Sequence, residues 1–227
     1  MVRSLYTSML IACLLVTKLA VAADFDKGVE ALEQGDYETA FQGFSALAEQ
    51  GYAEAQYNLG WMYTSGYMVT QGYKEAVKWY NLIEWIYSGG YSVPQDHKEA
   101  VKWYTLAAEQ GHARAQNNLG VMYEYGFGVP QDYKAAVKWY TLAAEQGIAR
   151  AQHNLALKYE NGFGVLQDYV KAHMWYNIAA SLGNETAKTN WDLVAKLDLV
   201  TKLLTSAQVD KAQALARECV AKEYKGC

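Results

Sequence analysis

The chain has 227 residues, 52% of them hydrophobic, and a formal net charge of −4. That much apolar material can build a core, which excludes a disordered chain. The acidic balance excludes nucleic acid and an anionic membrane surface as partners, since both need a positive field that is absent here.

Residues 1–22 read as a secretory signal peptide: Arg3 is a short basic region, Met9 to Val16 are mostly apolar, and Ala20-Val21-Ala22 is a small-residue cleavage site. Leu10-Ile11-Ala12-Cys13 has the look of a lipoprotein box, but the residues after Cys13 stay apolar where a polar tether is expected. Cleavage removes Arg3 and Lys18 and no acid, leaving 18 − 24 = −6. No later stretch approaches the roughly 20 apolar residues of a membrane helix, so no membrane span is expected after cleavage. Export implies a periplasmic or secreted protein.

Residues 23–51 are expected to form an N-terminal helical cap, with helices over Phe25 to Gln34 and Tyr37 to Gln50. The next segment, residues 52–183, is internally repetitive. Residues 97–132 and 133–168 agree at 27 of 36 positions. Aromatic or His residues at 37, 73, 97, 133 and 169 mark a period of 36 with one copy, residues 73–96, shortened by 12.

Each copy predicts two helices. Ala115, Leu119, Met122 and Tyr123 share one face of a helix A, and Ala136, Val137, Tyr140, Ala143 and Ala144 recur at helical spacing on a helix B. Asp132 is placed to cap helix B, and Asp96 with Glu99 forms a capping-box pattern. Gly111 and Gly147 suit the left-handed residue that ends helix B. A helix pair of this size has one apolar stripe and no layer to bury it against, so neighbouring copies must stack. The expected fold is all-α: an α-α superhelix, a solenoid of antiparallel helix pairs, irregular at the shortened repeat 73–96.

The shortened copy lacks the equivalent of Ala107 to Asn118, so Tyr73 to Tyr87 predict one continuous helix. Losing one turn implies that later repeats enter with reversed direction, with a kink or altered packing near residues 73–96 that forms a binding notch; the alternative is a tolerated deletion without function. Residues 184–227 predict a C-terminal helical cap with a Cys-containing tail. Within it Thr205-Ser206-Ala207-Gln208 opens a last helix, with Val209, Ala212, Ala216 and Cys219 on one stripe. Cys219 and Cys227 are expected to form a disulfide in an oxidising compartment; the alternative is two free thiols.

The run Ala-Ala-Glu-Gln-Gly-x-Ala-x-Ala-Gln-x-Asn-Leu-Gly-x-Met-Tyr, followed by Gly-x-Gly-Val-x-Gln-Asp-Tyr and Ala-Val-Lys-Trp-Tyr, resembles the Sel-1-like repeat, a relative of the tetratricopeptide repeat. The resemblance covers about residues 36–183. It implies an interaction scaffold of a kind often exported by bacteria, with helix A lining the concave side. A disulfide-rich branch of that family is associated with penicillin binding, but its repeats carry paired cysteines, and these are absent here.

No catalytic constellation emerges from the residues. His97, His112, His153 and His173 fall in separate repeats without a second ligand at metal-site spacing, so no metal and no cofactor are expected. Gly126-Phe127-Gly128 and Gly162-Phe163-Gly164 lack the lysine of a phosphate loop and precede Asp132 and Asp168; they read as turns. Trp79, Trp103, Trp139 and Trp175 keep phase with the repeat and read as packing.

Duplication preserves packing and lets surfaces drift, so positions where copies disagree on helix A mark contact candidates. These, with the recurrent asparagines beside them, are Tyr57, Asn58, Trp61, Asn118, His153 and Asn154. The expected function is a non-catalytic scaffold in the envelope or secreted, binding a protein or peptide partner through helix A. The alternatives are a peptidoglycan or other cell-wall glycan module, and a cell-wall or β-lactam hydrolase for which no nucleophile or acid pair is found.

Overall fold

The computed structural model describes residues 22, 24–65, 96–181 and 196–227, and its regular secondary structure there is entirely helical. The helices are α1 (24–33), α2 (Tyr37–Glu49), α3 (Ala53–Ser65), α4 (His97–Glu109), α5 (Ala113–Tyr125), α6 (Tyr133–Ala144), α7 (Ala149–Asn161), α8 (Tyr169–Ser181), α9 (196–202) and α10 (Ser206–Ala221). α3, α5 and α7 take the helix A role; α2, α4, α6 and α8 take the helix B role. The chain is all-α and of the α-α superhelix class, as the periodicity implies. The signal peptide, the expected helix at 73–87, Trp79 and most of the stretch before α9 lie outside the described residues. The chain forms two compact units, Met1–Leu106 and Ala107–Cys227.

In the first unit α2 packs on α3 around Ala40, Phe44, Leu47, Leu59 and Met62, all buried. Phe25 of α1 adds a ring 5.5 Å from Phe44. Asp36 starts α2 by accepting from the Thr39 N–H at 3.2 Å, which satisfies a donor that the helix itself leaves open.

α3 then closes on α4. A Cβ at Gly60 would stand 2.7 Å from the Tyr104 ring, the Tyr104 hydroxyl meets Thr64 Oγ1 at 3.1 Å, and the Asp96 N–H donates to the Tyr63 carbonyl at 3.2 Å. The complete repeats make the same contacts. Gly120 lies under Tyr140, and the Asp132 and Asp168 N–H groups donate to the Tyr123 and Tyr159 carbonyls at 2.9 Å. Helix A before the shortened copy and helix B after it therefore form one ordinary repeat. This corrects the expectation that the shortening reverses the direction of the later repeats.

The capping box expected at Asp96 is half formed. Asp96 Oδ1 accepts from the Lys98 and Glu99 N–H groups, but the Asp96 N–H is taken by Tyr63 and Glu99 pairs with Lys102 at 3.3 Å. A full box stands at the last helix, where Thr205 and Gln208 cap reciprocally.

In the second unit α5 packs on α6, α6 on α7, α7 on α8, and α10 on α8. Tyr140, Leu155, Trp175, Tyr176, Ile178 and Val200 are fully buried in one cluster, each large side chain worth about 1.5–3 kcal/mol. Trp175 is thus core, as expected. Trp139 is half-buried with the Lys138 ammonium 5.0 Å from its ring. Gly111 and Gly147 follow the ends of α4 and α6 at φ +88° and +81°, a conformation that a Cβ would strain.

Cys219 and Cys227 are bridged, with Cα atoms 5.6 Å apart. The bridge turns the tail back on the α6–α7 turn. There the Gly226 N–H donates to Glu145 Oε1 at 3.2 Å, and the Tyr224 ring stands 3.2 Å from where a Gly147 Cβ would be.

The closure of α3 on α4 is open to a test of sign. Gly60→Ala is expected to destabilise by about 1–3 kcal/mol, because the methyl must displace the Tyr104 ring. On an unpaired helix face the same change would stabilise by about 0.5–1 kcal/mol. Urea denaturation distinguishes the two. Ala156 holds this place in the α7–α8 pair, so a methyl is accommodated where the whole pair is built around it. Opening the Cys219–Cys227 loop by changing both residues to Ser is expected to cost about 2–3 kcal/mol from the chain entropy of so short a loop. The double variant should show no further loss when reductant is added to the melt.

Candidate interaction surface

The six contact candidates fall into two groups. Tyr57, Asn58 and Trp61 sit on α3 in the first unit, all half-buried. Tyr57 leans on Tyr104 with ring centroids 6.1 Å apart, and Trp61 packs against the core of that unit. Half of each ring is therefore committed to the fold, and truncating either would mix packing with recognition. Asn118 on α5 and His153 and Asn154 on α7 lie in the second unit, also half-buried. His153 stands edge-on to Tyr176 at 5.5 Å.

Asn118 and Asn154 are brought together through a residue that periodicity alone does not single out. Asn117, buried on α5, donates through Nδ2 to Asn118 Oδ1 at 3.2 Å and accepts at Oδ1 from Asn154 Nδ2 at 3.4 Å. Three primary amides thus run as a chain from one helix A to the next. Among the described residues, Asn118 Nδ2 at one end and Asn154 Oδ1 at the other make no hydrogen bond to protein. One free donor and one free acceptor at the ends of an ordered amide row match the two polar groups of a peptide bond.

Further toward the C-terminal ends of the same two helices lies a buried ionic contact. Glu124, near the end of α5, accepts from the Tyr140 hydroxyl at 2.6 Å and from the Lys158 ammonium. Lys158 on α7 is 3% exposed, and its ammonium also faces the rings of Tyr133 and Phe163 at 5.5 and 5.7 Å. Burial, then the bond to Glu124, pushes the Tyr140 hydroxyl far above its ordinary range, so it stays a donor throughout the working pH range. The next repeat echoes the arrangement: Glu160 accepts from Tyr176 at 2.5 Å and pairs with Lys196 at 3.6 Å.

A second polar signature recurs on every described helix A. Gln56, Gln116 and Gln152 are buried and donate to the carbonyls of Ala48, Ala108 and Ala144 at 3.0–3.1 Å. Each adds a second hydrogen bond to a carbonyl in the last turn of the preceding helix B, which also accepts from the N–H of Gly51, Gly111 or Gly147. Their place in the apolar phase, at Ala-Gln in each copy, was the signal that could have exposed them.

The remaining histidines are structural in placement. His112 caps α5 by accepting at Nδ1 from the Ala115 N–H at 3.1 Å, and His173 is buried, which holds its pKa below the usual value. Among the described residues no three His, Cys, Asp or Glu side chains are grouped to hold a metal, and no helix is long and apolar enough to cross a membrane.

The Lys158 contact gives a mutational expectation. Lys158→Met leaves Glu124 beneath the surface without its cation and should cost about 3–5 kcal/mol, whereas adding Glu124→Gln should recover much of that loss. The two denaturant midpoints measure it.

The profile of the family described as Sel1 repeat matches residues 53–82, 85–112, 113–148 and 149–184. The crystal structure of c5321, a protective antigen present in uropathogenic Escherichia coli strains displaying an SLR fold, is similar with a TM-score of 0.55 and 29% identity. The match covers 90% of this chain and 47% of c5321, so the chain spans about half the length of that protein. A Sel1 repeat protein from Oxalobacter formigenes is 34% identical over 66% of this chain and 96% of its own, with a TM-score of 0.47. Comparison with curated proteins gives no match.

Proposed function

We propose, starting from the Sel1 repeat family to which this chain belongs by more than half its length, that it is a non-catalytic scaffold holding a partner protein by an extended segment on helix A. Proteins built of Sel1 repeats are in general protein–protein interaction scaffolds. The observation that carries the reading here is the amide row Asn118–Asn117–Asn154, whose two ends offer a donor and an acceptor at the surface of consecutive helix A elements. Because its members are held by one another and by packed helices, little ordering entropy is lost on binding. Export to the periplasm or beyond belongs to the same proposal. It is supported by the composition of residues 1–22 and by a disulfide suited to an oxidising compartment.

A photo-crosslinking amino acid placed at position 118 or 154 in the full chain, in the native compartment, is expected to trap a protein, while the same group at exposed Lys138 on α6 does not. Equal trapping from all three positions, or none, would reject the reading. Tyr125 and Phe127 favour the glycan alternative, being 60% and 43% exposed and stacked at 5.6 Å. Co-sedimentation with purified cell-wall sacculi that is lost in Tyr125→Ala, without crosslinks at 118 and 154, would establish that alternative instead.

A further inference from the structure

The scaffold reading leaves open what kind of segment would be held, and the charges beside the amide row bear on it. Arg114 on α5 and Arg150 on α7 lie one helical turn toward the N-terminus from Asn117 and Asn154, the pair that is hydrogen-bonded across the two helices. The links 117–154 and 124–158 run in the same sense, so the helices are parallel and the two arginines share a level. Both are exposed, and among the described residues neither has an ion-pair partner. Of the acids on the preceding turns, Glu145 accepts from the Gly226 N–H and Glu109 is exposed at the end of α4.

Their position runs against local electrostatics. The first turn of a helix is its positive end and favours acids, and α3 has Glu54 at the corresponding place. Arg114 and Arg150 add positive charge where the helix dipole already supplies it. Duplication explains why the residue occurs twice; it does not provide the anion that would neutralise it. The sum is a local positive strip, on a chain of net charge −4, beside amides able to take a peptide backbone.

We infer that α5 and α7 bind an extended acidic peptide segment, with its carboxylates on Arg114 and Arg150 and its backbone on the free amide groups of Asn118 and Asn154. This rests on the scaffold reading and specifies its partner. A guanidinium presents a planar fork of N–H donors that fits a carboxylate in two parallel hydrogen bonds, so arginine selects for acids more sharply than lysine does. The Asn117–Asn154 and Glu124–Lys158 bonds keep α5 and α7 within side-chain reach, on the order of 10 Å apart. An extended chain rises about 3.3 Å per residue. The acids should therefore be two to four residues apart.

The test is selection from a random twelve-residue peptide library displayed on phage, with the disulfide-intact full chain as bait and binding of the recovered peptides measured by fluorescence anisotropy. The expected result is enrichment of Asp or Glu pairs two to four positions apart. Affinity should fall at least tenfold in Arg114→Ala/Arg150→Ala, fall less in the double Lys variant, and weaken with added salt. Circular dichroism of the variants reports whether the fold is kept, and exposed arginines should leave it unchanged. Peptides without acids whose binding needs Asn118 and Asn154 would overturn this inference and leave the scaffold reading standing. Recovery of no peptide, or acidic peptides indifferent to both arginine variants, would also overturn it. The fate of the scaffold reading is decided separately by the crosslinks at 118 and 154.

Discussion

A tyrosine of helix B lying across helix A at a residue with no side chain is the contact that closes the α3–α4 and α5–α6 repeats. Tyr104 meets Gly60 and Tyr140 meets Gly120 so closely that a methyl group would fall inside the ring's van der Waals envelope. A large ring is thereby buried against backbone, gaining area that two facing side chains would hold apart. The hydroxyl must then find a partner, because an unbonded polar group in such a place is costly. Thr64 supplies it in one repeat and Glu124 in another.

The choice of Glu124 has further consequences. A carboxylate at that depth calls for a cation, and Lys158 of the following helix A provides it, so one packing decision propagates into the next repeat. Buried pairs of this sort add less to stability than their Coulomb energy suggests, since desolvation offsets much of it. What they fix is register: Lys158 reaches Glu124 only when α7 is aligned with α5, and that alignment also sets Asn154 against Asn117. The polar surface and the buried charge are thus two readouts of a single helix-to-helix alignment.

Periodicity made the architecture legible from sequence, because every copy repeats the same demand for an apolar neighbour. Caps at Asp132 and Thr205, the glycine ends of helix B and the last disulfide were legible for the same local reasons. Three things were not. Asn117 falls where the copies disagree, at the place of Tyr57 and His153, which reads as drifting surface, yet it is the buried member that joins two helices. Lys158 replaces a methionine of the preceding copy, and a lysine in an apolar phase gives no hint of its partner 34 positions away. The pairing of α3 with α4 was missed because counting along the chain assumes that neighbours in sequence are neighbours in space. Two halves of a repeat recognise each other by shape, whatever lies between them.

That last feature bears on how such a scaffold can diversify. The contacts described above that join α3 to α4 are made by residues before 66 and after 95, so these contacts themselves set no length for the chain that joins them. Doubling that length costs only about 0.6 kcal/mol. A repeat whose halves hold each other by such contacts leaves the chain between them open to evolutionary change that need not first redesign the seam.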